Sequence, residues 1–127
     1  MNIKDIKLDE LLVFISGPMR GYPNYNFKKF DEIENRLKAV GIRCINPAHI
    51  SRQYKEKDIL NDTNMFLHMI NRQQAAQKTC NAILLLDGWQ WSDGVMLEMK
   101  TAMECGHRVL LESDLVELEK KELDNRV

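Results

Sequence analysis

Short, wholly apolar runs alternate along this chain with longer segments in which apolar residues recur at helical spacing. Leu11–Ile15 is a continuous apolar run rich in β-formers, which predicts a strand buried on both faces. From about Asn26 to Val40, Phe27, Phe30, Ile33, Leu37 and Val40 share one stripe. Lys28, Lys29, Glu32, Arg36 and Lys38 fall outside it, so the spacing predicts a helix with Gly41 as its stop. Ile42–Asn46 reads as a second strand closed by Pro47. Residues 48–60, AHISRQYKEKDIL, show neither period and read as an irregular polar loop of the kind that covers a site.

A helix from roughly Asp62 to Thr79 would turn Met65, Phe66, Met69 and Ala76 inward. Asn81–Leu86 resembles the first run and predicts a third strand, and Asp87–Ser92 predicts a turn. Asp93–Cys105 then reads as a helix with Met96, Met99, Ala102 and Met103 on its inner face, stopped by Gly106. His107–Leu111 is a fourth strand and Ser113–Glu122 a short charged helix.

Strands alternating with helices imply a single α/β domain, a flavodoxin-like or Rossmann-like parallel sheet of four or five strands with helices on both faces. Ligands of such sheets bind beyond the carboxyl ends of the strands. Here those ends carry Ser16–Gly21, Asn46–Ile50, Asp87–Ser92 and Glu112–Ser113.

Composition narrows the chemistry. With 127 residues there is enough chain for one domain with a true core. Eighteen basic residues face 19 acidic ones, which lacks the basic excess of a nucleic-acid binder and favours a small ligand. The longest apolar run, Ala82–Leu86, is too short for a membrane span, and the charged start MNIKDIKLDE has no signal-peptide core. Cys44, Cys80 and Cys105 are odd in number and widely spaced, as free thiols of a cytoplasmic protein would be. His49, His68 and His107 show no ligand spacing with them, so neither a metal nor another cofactor is expected.

Two turns carry candidate chemistry. Ser16-Gly17-Pro18-Met19-Arg20-Gly21 is a Gly-rich strand-to-helix turn with a guanidinium, suited to a phosphate or carboxylate, although such turns are common for steric reasons alone. Asp87–Glu98, DGWQWSDGVMLE, places Ser92, Asp93 and Gly94 at a helix start, where a cap and free N–H groups meet an anion. Glu98 falls between the methionine stripe and solvent, and spacing alone makes it a solvated helix glutamate. Trp89 and Trp91 are core plugs or stacking platforms, and Tyr22 and Tyr25 line a pocket or pack elsewhere. Asn46 is a ligand contact or a turn former before Pro47.

From Val13 to Leu111 the sequence resembles the nucleoside 2-deoxyribosyltransferase superfamily, including its 2'-deoxynucleoside 5'-monophosphate N-glycosidases and a phage-associated branch. The resemblance is carried by FISGPMRGYPNYNF, INPAHI and AILLLDGWQWSDGVMLEMKTAMECG. It implies Glu98 as a nucleophile that attacks C1' of the sugar, forming a glycosyl-enzyme later released by water or a second base. Base-exchanging transferases tend to carry aspartate at the position of Ser92, whereas monophosphate hydrolases carry serine. Ser92, Gly94 and Arg20 therefore favour a nucleoside 5'-monophosphate, with Ser16, Gly17, Met19 and Gly21 completing the phosphate and sugar site. The resemblance also implies a homo-oligomer in which a neighbour's C-terminal region completes the site.

One departure stands out. The family usually has an acid on the helix before the third strand, and this chain reads Asn71-Arg72-Gln73-Gln74. Gln73 can hydrogen-bond a base but cannot protonate it, which leaves Asp87 as the geometric substitute. Without a substitute, the expectation is a nucleotide-binding protein on an enzyme scaffold.

Overall fold

The computed structural model describes residues 3–125 and contains four parallel strands: β1 (Leu12–Ser16), β2 (Arg43–Ile45), β3 (Ala82–Leu85) and β4 (Arg108–Leu111). Their order is β2-β1-β3-β4. The six helices are α1 (Phe27–Ala39), α2 (Pro47–Ser51), α3 (Glu56–Asn61), α4 (Thr63–Lys78), α5 (Asp93–Glu104) and α6 (Leu115–Asn125). The expected α/β architecture is therefore present, with four strands.

Alternation along each strand feeds two apolar layers. Val13, Ile15, Leu84 and Leu110 join Phe30, Ile33 and Leu37 of α1 and Leu115 and Leu118 of α6 in the larger core. Ile83 and Leu85 point the other way and pack under Val95 and Ala102 of α5, with Trp89 and Met99 against them. Burial of these fully enclosed side chains is the main stabilising term.

Two parts of the sequence pattern fold differently from expectation. Residues 48–60 are not irregular: they hold most of α2 and α3. Asn46 caps α2 by accepting a hydrogen bond from the Ala48 N–H at 3.0 Å, with Pro47 at the first helical position. Both are helix-start signals that outweigh the missing apolar stripe, because a helix this short needs only its first turn buried, here Pro47 and Ala48.

The second difference is the methionine stripe. Met96 and Met103 are 44% and 73% exposed, and Met65 of α4 is also exposed. Helix α5 packs against β3 and α4, which leaves its flank with Met96 and Met103 uncovered, and β4 is a sheet edge with no strand beyond it among the described residues. Val109 and Leu111 of β4, in register with Ile83 and Leu85, are exposed for the same reason.

In this strand order, β1 leads to β2 on one side of the sheet and β3 leads to β4 on the other. The crossovers diverge between the carboxyl ends of β1 and β3, the switch point at which a crevice opens.

Candidate functional site

A cavity of about 910 Å³ lies at that switch point, within the size range of small-molecule sites. Gly17, Met19 and Arg20 line it from the β1 end, Ser92, Gly94 and Glu98 from the start of α5, and Gln73 and Gln74 from α4. Tyr22, Tyr25, Phe27, Tyr54, Phe66 and Trp91 add aromatic rings to its wall. A smaller cavity of about 530 Å³, bordered by Asn81, Gly106 and Arg108, lies near the amino ends of β3 and β4, away from these groups.

The β1 turn is shaped by packing as well as by charge. A Cβ on Gly17 would lie 2.8 Å from the Leu86 Cβ, so glycine is required for β1 and β3 to end side by side. Gly21 has φ +87° and turns the chain in solvent without lining the cavity, which corrects its expected place in the anion cradle. Asn24, Tyr25 and Asn26 follow in the left-handed region, with φ of 49°, 54° and 62°. Such residues cost roughly 1–2 kcal/mol each. Asn26 offsets part of this by donating to the Pro18 carbonyl at 2.9 Å. Tyr25 donates its hydroxyl to Glu56, tying the turn to α3 across the cavity mouth.

Glu98 is a partly buried carboxyl on the cavity wall. Ser16 is fully buried at the end of β1 and donates its hydroxyl to Glu98 Oε1 at 3.2 Å. The glutamate opens only partly onto the cavity. Burial pushes its carboxyl up to about 8, against the lowering effect of the Ser16 hydrogen bond. Glu98 is thus no solvated surface glutamate, because its place on α5 faces α4 and the cavity rather than water. The buried face of α5 is Val95, Thr101 and Ala102.

Ser92 caps α5 by accepting from the Val95 N–H at 3.3 Å, leaving its own hydroxyl hydrogen free to point at a ligand. Arg20 is exposed at the rim and makes no ion pair among the described residues. Asp93 also lines the cavity and sets a negative charge beside Ser92.

Three further expectations are corrected. Asp87 is exposed and outside the cavity: the chain turns away at Gly88, φ +90°, and the Asp87 N–H donates to Glu112 Oε1 at 3.0 Å. It therefore does not stand in for the absent helix acid. Trp89 packs into the α5 core layer, while Trp91, 90% exposed, lines the cavity. The two tryptophans have separate roles because one turn of 3-10 helix, Trp89–Trp91, sends them in different directions.

Asn46 is buried and donates to Asp31 Oδ1 at 3.0 Å and Glu34 Oε1 at 3.3 Å, so it serves α2 and α1 rather than a ligand. Asp31, Glu34 and His49 bring donor atoms within 4.8 Å of one another. Each of these groups already has protein partners, among them Arg52 on Asp31 and Lys38 on Glu34. Hydrogen bonding to Arg52 holds the Asp31 carboxyl below its ordinary value. At Glu34 burial opposes ionisation, yet His49, Asn46 and Lys38 outweigh it. Positive partners already balance the carboxylates, the arrangement of an ion-pair network.

Several lining residues had no individual signal in the sequence. Arg52 and Tyr54 come from the segment read as loop, and Phe66 and Gln74 depend on the rotation of α4. Gln73 lines the wall, with its Nε2 donating to Ser51 Oγ at 2.9 Å.

Fold and site together define a doubly wound α/β protein with a ligand cleft at its switch point and a partly buried carboxylic acid, Glu98, on the cleft wall. The chain belongs to DUF4406, a domain family of unknown function, whose pattern spans residues 11–111 and so includes every strand and the whole cleft. No curated protein matches it.

Proposed function

We propose that this protein cleaves the N-glycosidic bond of a (deoxy)nucleoside 5'-monophosphate, releasing the free base and (deoxy)ribose 5-phosphate. The observation that carries the reading is Glu98, a partly buried carboxyl held by Ser16 within one cavity that also contains Arg20 and the capped start of α5. The phosphate would lie against Arg20, the Ser92 hydroxyl and the first N–H groups of α5. The aromatic wall offers a planar base surfaces on which to stack. The resemblance to the nucleoside 2-deoxyribosyltransferase superfamily supplies the reaction class.

In this mechanism Glu98 attacks C1' as carboxylate. The C1'–N bond breaks with its electron pair leaving on the base, which takes a proton from water, since neither Gln73 nor Gln74 is an acid. Water then attacks C1', breaks the ester to Glu98 and releases the sugar phosphate, its proton passing to solvent. With the Glu98 pKa raised to about 8, roughly a tenth of the free protein holds the carboxylate at pH 7. Turnover is accordingly slow at neutral pH and faster in alkali.

A second reading is a nucleotide-binding or sensing protein on the same fold, favoured by that raised pKa and by the two glutamines on the α4 wall. Base exchange between nucleosides is the third; Ser92 in place of an aspartate argues against it. Incubation with a panel of ribo- and deoxynucleoside monophosphates, read by chromatography of free base, separates the three. Release that is lost in Glu98→Gln supports cleavage. Binding without release supports sensing, and product only on addition of a second base supports exchange. No binding of any nucleotide overturns all three.

The assembly proposed with this function is a homo-oligomer. The uncovered apolar flank of Met96, Met103, Val109 and Leu111 supports it, and sedimentation velocity of the purified chain tests it. A cytoplasmic setting fits the three free cysteines, of which Cys44 and Cys80 have thiols that burial pushes up to about 11 and so keeps unreactive.

A further inference from the structure

Gln77 of α4 is fully buried, and its Nε2 donates to the backbone carbonyl of Glu98 at 2.6 Å. A fully buried amide between helices is costly unless every polar atom is used. Its Oε1 accepts from Gln74 Nε2 at 3.3 Å, and Gln74 Oε1 in turn accepts from the Thr101 hydroxyl on α5. The polarity of this chain follows from one fact: a peptide carbonyl can only accept. Gln77 must therefore present its NH₂ to Glu98, which leaves its oxygen for Gln74. Gln74 must present its NH₂ to Gln77, which leaves its own oxygen for the hydroxyl of Thr101.

We propose that the Thr101–Gln74–Gln77 chain is a positioning device for Glu98, and that Gln74 is an amide because the chain needs a donor there. Helix α4 is thereby fastened to α5 at Glu98 itself and one turn further on, while the Glu98 carboxyl reaches across to Ser16 on β1. Three elements thus meet at one residue, α4 at the Glu98 backbone carbonyl and β1 at its carboxyl. Gln74 lines the cleft, yet an ionised carboxylate in its place would set two acceptors, its own oxygen and Gln77 Oε1, against each other. The glutamine on this wall is thus a structural requirement, and an acid at 74 would cost the chain its alignment. The inference rests on the proposed role of Glu98 for its functional meaning, although the alignment itself is measurable without substrate.

The test combines Gln77→Leu, Thr101→Val and Gln74→Glu in the full chain. A ¹³C-carboxyl NMR titration follows Glu98, which keeps its Ser16 contact atom in every variant. The expected result is a Glu98 titration displaced by half a pH unit or more in Thr101→Val and Gln77→Leu. Base release should fall about tenfold in kcat, with KM little changed. Gln74→Glu should lower release further instead of supplying a helpful acid. Thr101→Val replaces one β-branched residue by another and keeps the test open where Gln77→Leu does not fold. A Glu98 titration unmoved in a folded Thr101→Val protein, or a Gln74→Glu protein faster than wild type, overturns the proposal. A wild type that releases no base, with the titration still displaced by these variants, leaves the positioning intact and removes the proposed reaction.

Discussion

The Ser16 hydroxyl donates to Glu98 Oε1 across 3.2 Å, joining the end of the first strand to a carboxyl that lies far along the sequence on α5. Burial disfavours the ionised carboxyl, and this hydrogen bond favours it; burial wins, leaving Glu98 with a pKa of about 8. The predictions below turn on that balance and on the geometry around it.

Folded stability should fall with pH where Glu98 is responsible. Its ordinary value is 4.5 and its folded value about 8, so between those limits the native state holds a proton that the unfolded chain has released. The contribution is full below pH 4.5 and is lost as pH rises through 8. Glu98→Gln carries no such titration. Its unfolding free energy, and with it its melting temperature, should match wild type near pH 4 and exceed it increasingly up to pH 8, the free-energy gap reaching on the order of 2 kcal/mol once the opening onto the cavity is discounted. A difference that stays constant across thermal scans from pH 4 to 9 would falsify the buried-acid assignment.

Ser16→Ala removes the donor that favours the carboxylate. The alkaline rise in kcat/KM for base release should move to higher pH, and the rate at pH 7 should drop about tenfold, as expected for a shift of roughly one unit. An unshifted pH–rate profile would show that the hydroxyl has no hold on Glu98.

Gly17→Ala pushes a methyl group against Leu86, 2.8 Å from its Cβ. Backbone on both sides has little room to yield, so the urea midpoint should fall by an equivalent of about 1–3 kcal/mol. A midpoint equal to wild type means that β1 and β3 can part at their ends without cost.

Arg20→Ala should leave thermal stability within about 0.5 kcal/mol of wild type, since the side chain is exposed and without an ion pair among the described residues. Affinity for a nucleoside monophosphate should weaken about 10- to 100-fold by calorimetry, from loss of a charge-assisted contact. The loss should shrink with added salt and be absent for the free nucleoside. Equal loss for both ligands would move the phosphate away from Arg20.

Local pattern alone was enough for the strands and the long helices, because burial on both faces of a parallel sheet leaves unmixed apolar runs such as Ala82–Leu86. It also placed Gly17, Arg20, Ser92 and Glu98 at the strand ends and helix start that form the cleft. Pattern failed where one residue type serves two environments. Met96 and Met103 have the spacing of a core stripe, but α5 packs on β3 and α4 with its other face and leaves them exposed. Trp89 and Trp91 sit two positions apart in a turn, and only its 3-10 geometry sends one into the core and the other to the cleft.

The sequence by itself determined the order of elements and the parallel sheet, since both depend on neighbours along the chain, whereas Glu98 stood out as the candidate acid only through the resemblance. Tertiary structure alone decided the state of that acid. Its burial and its Ser16 donor come from elements distant in sequence and brought together only when the sheet is formed. A pKa is set by what surrounds a group in space, and local spacing carries no record of that.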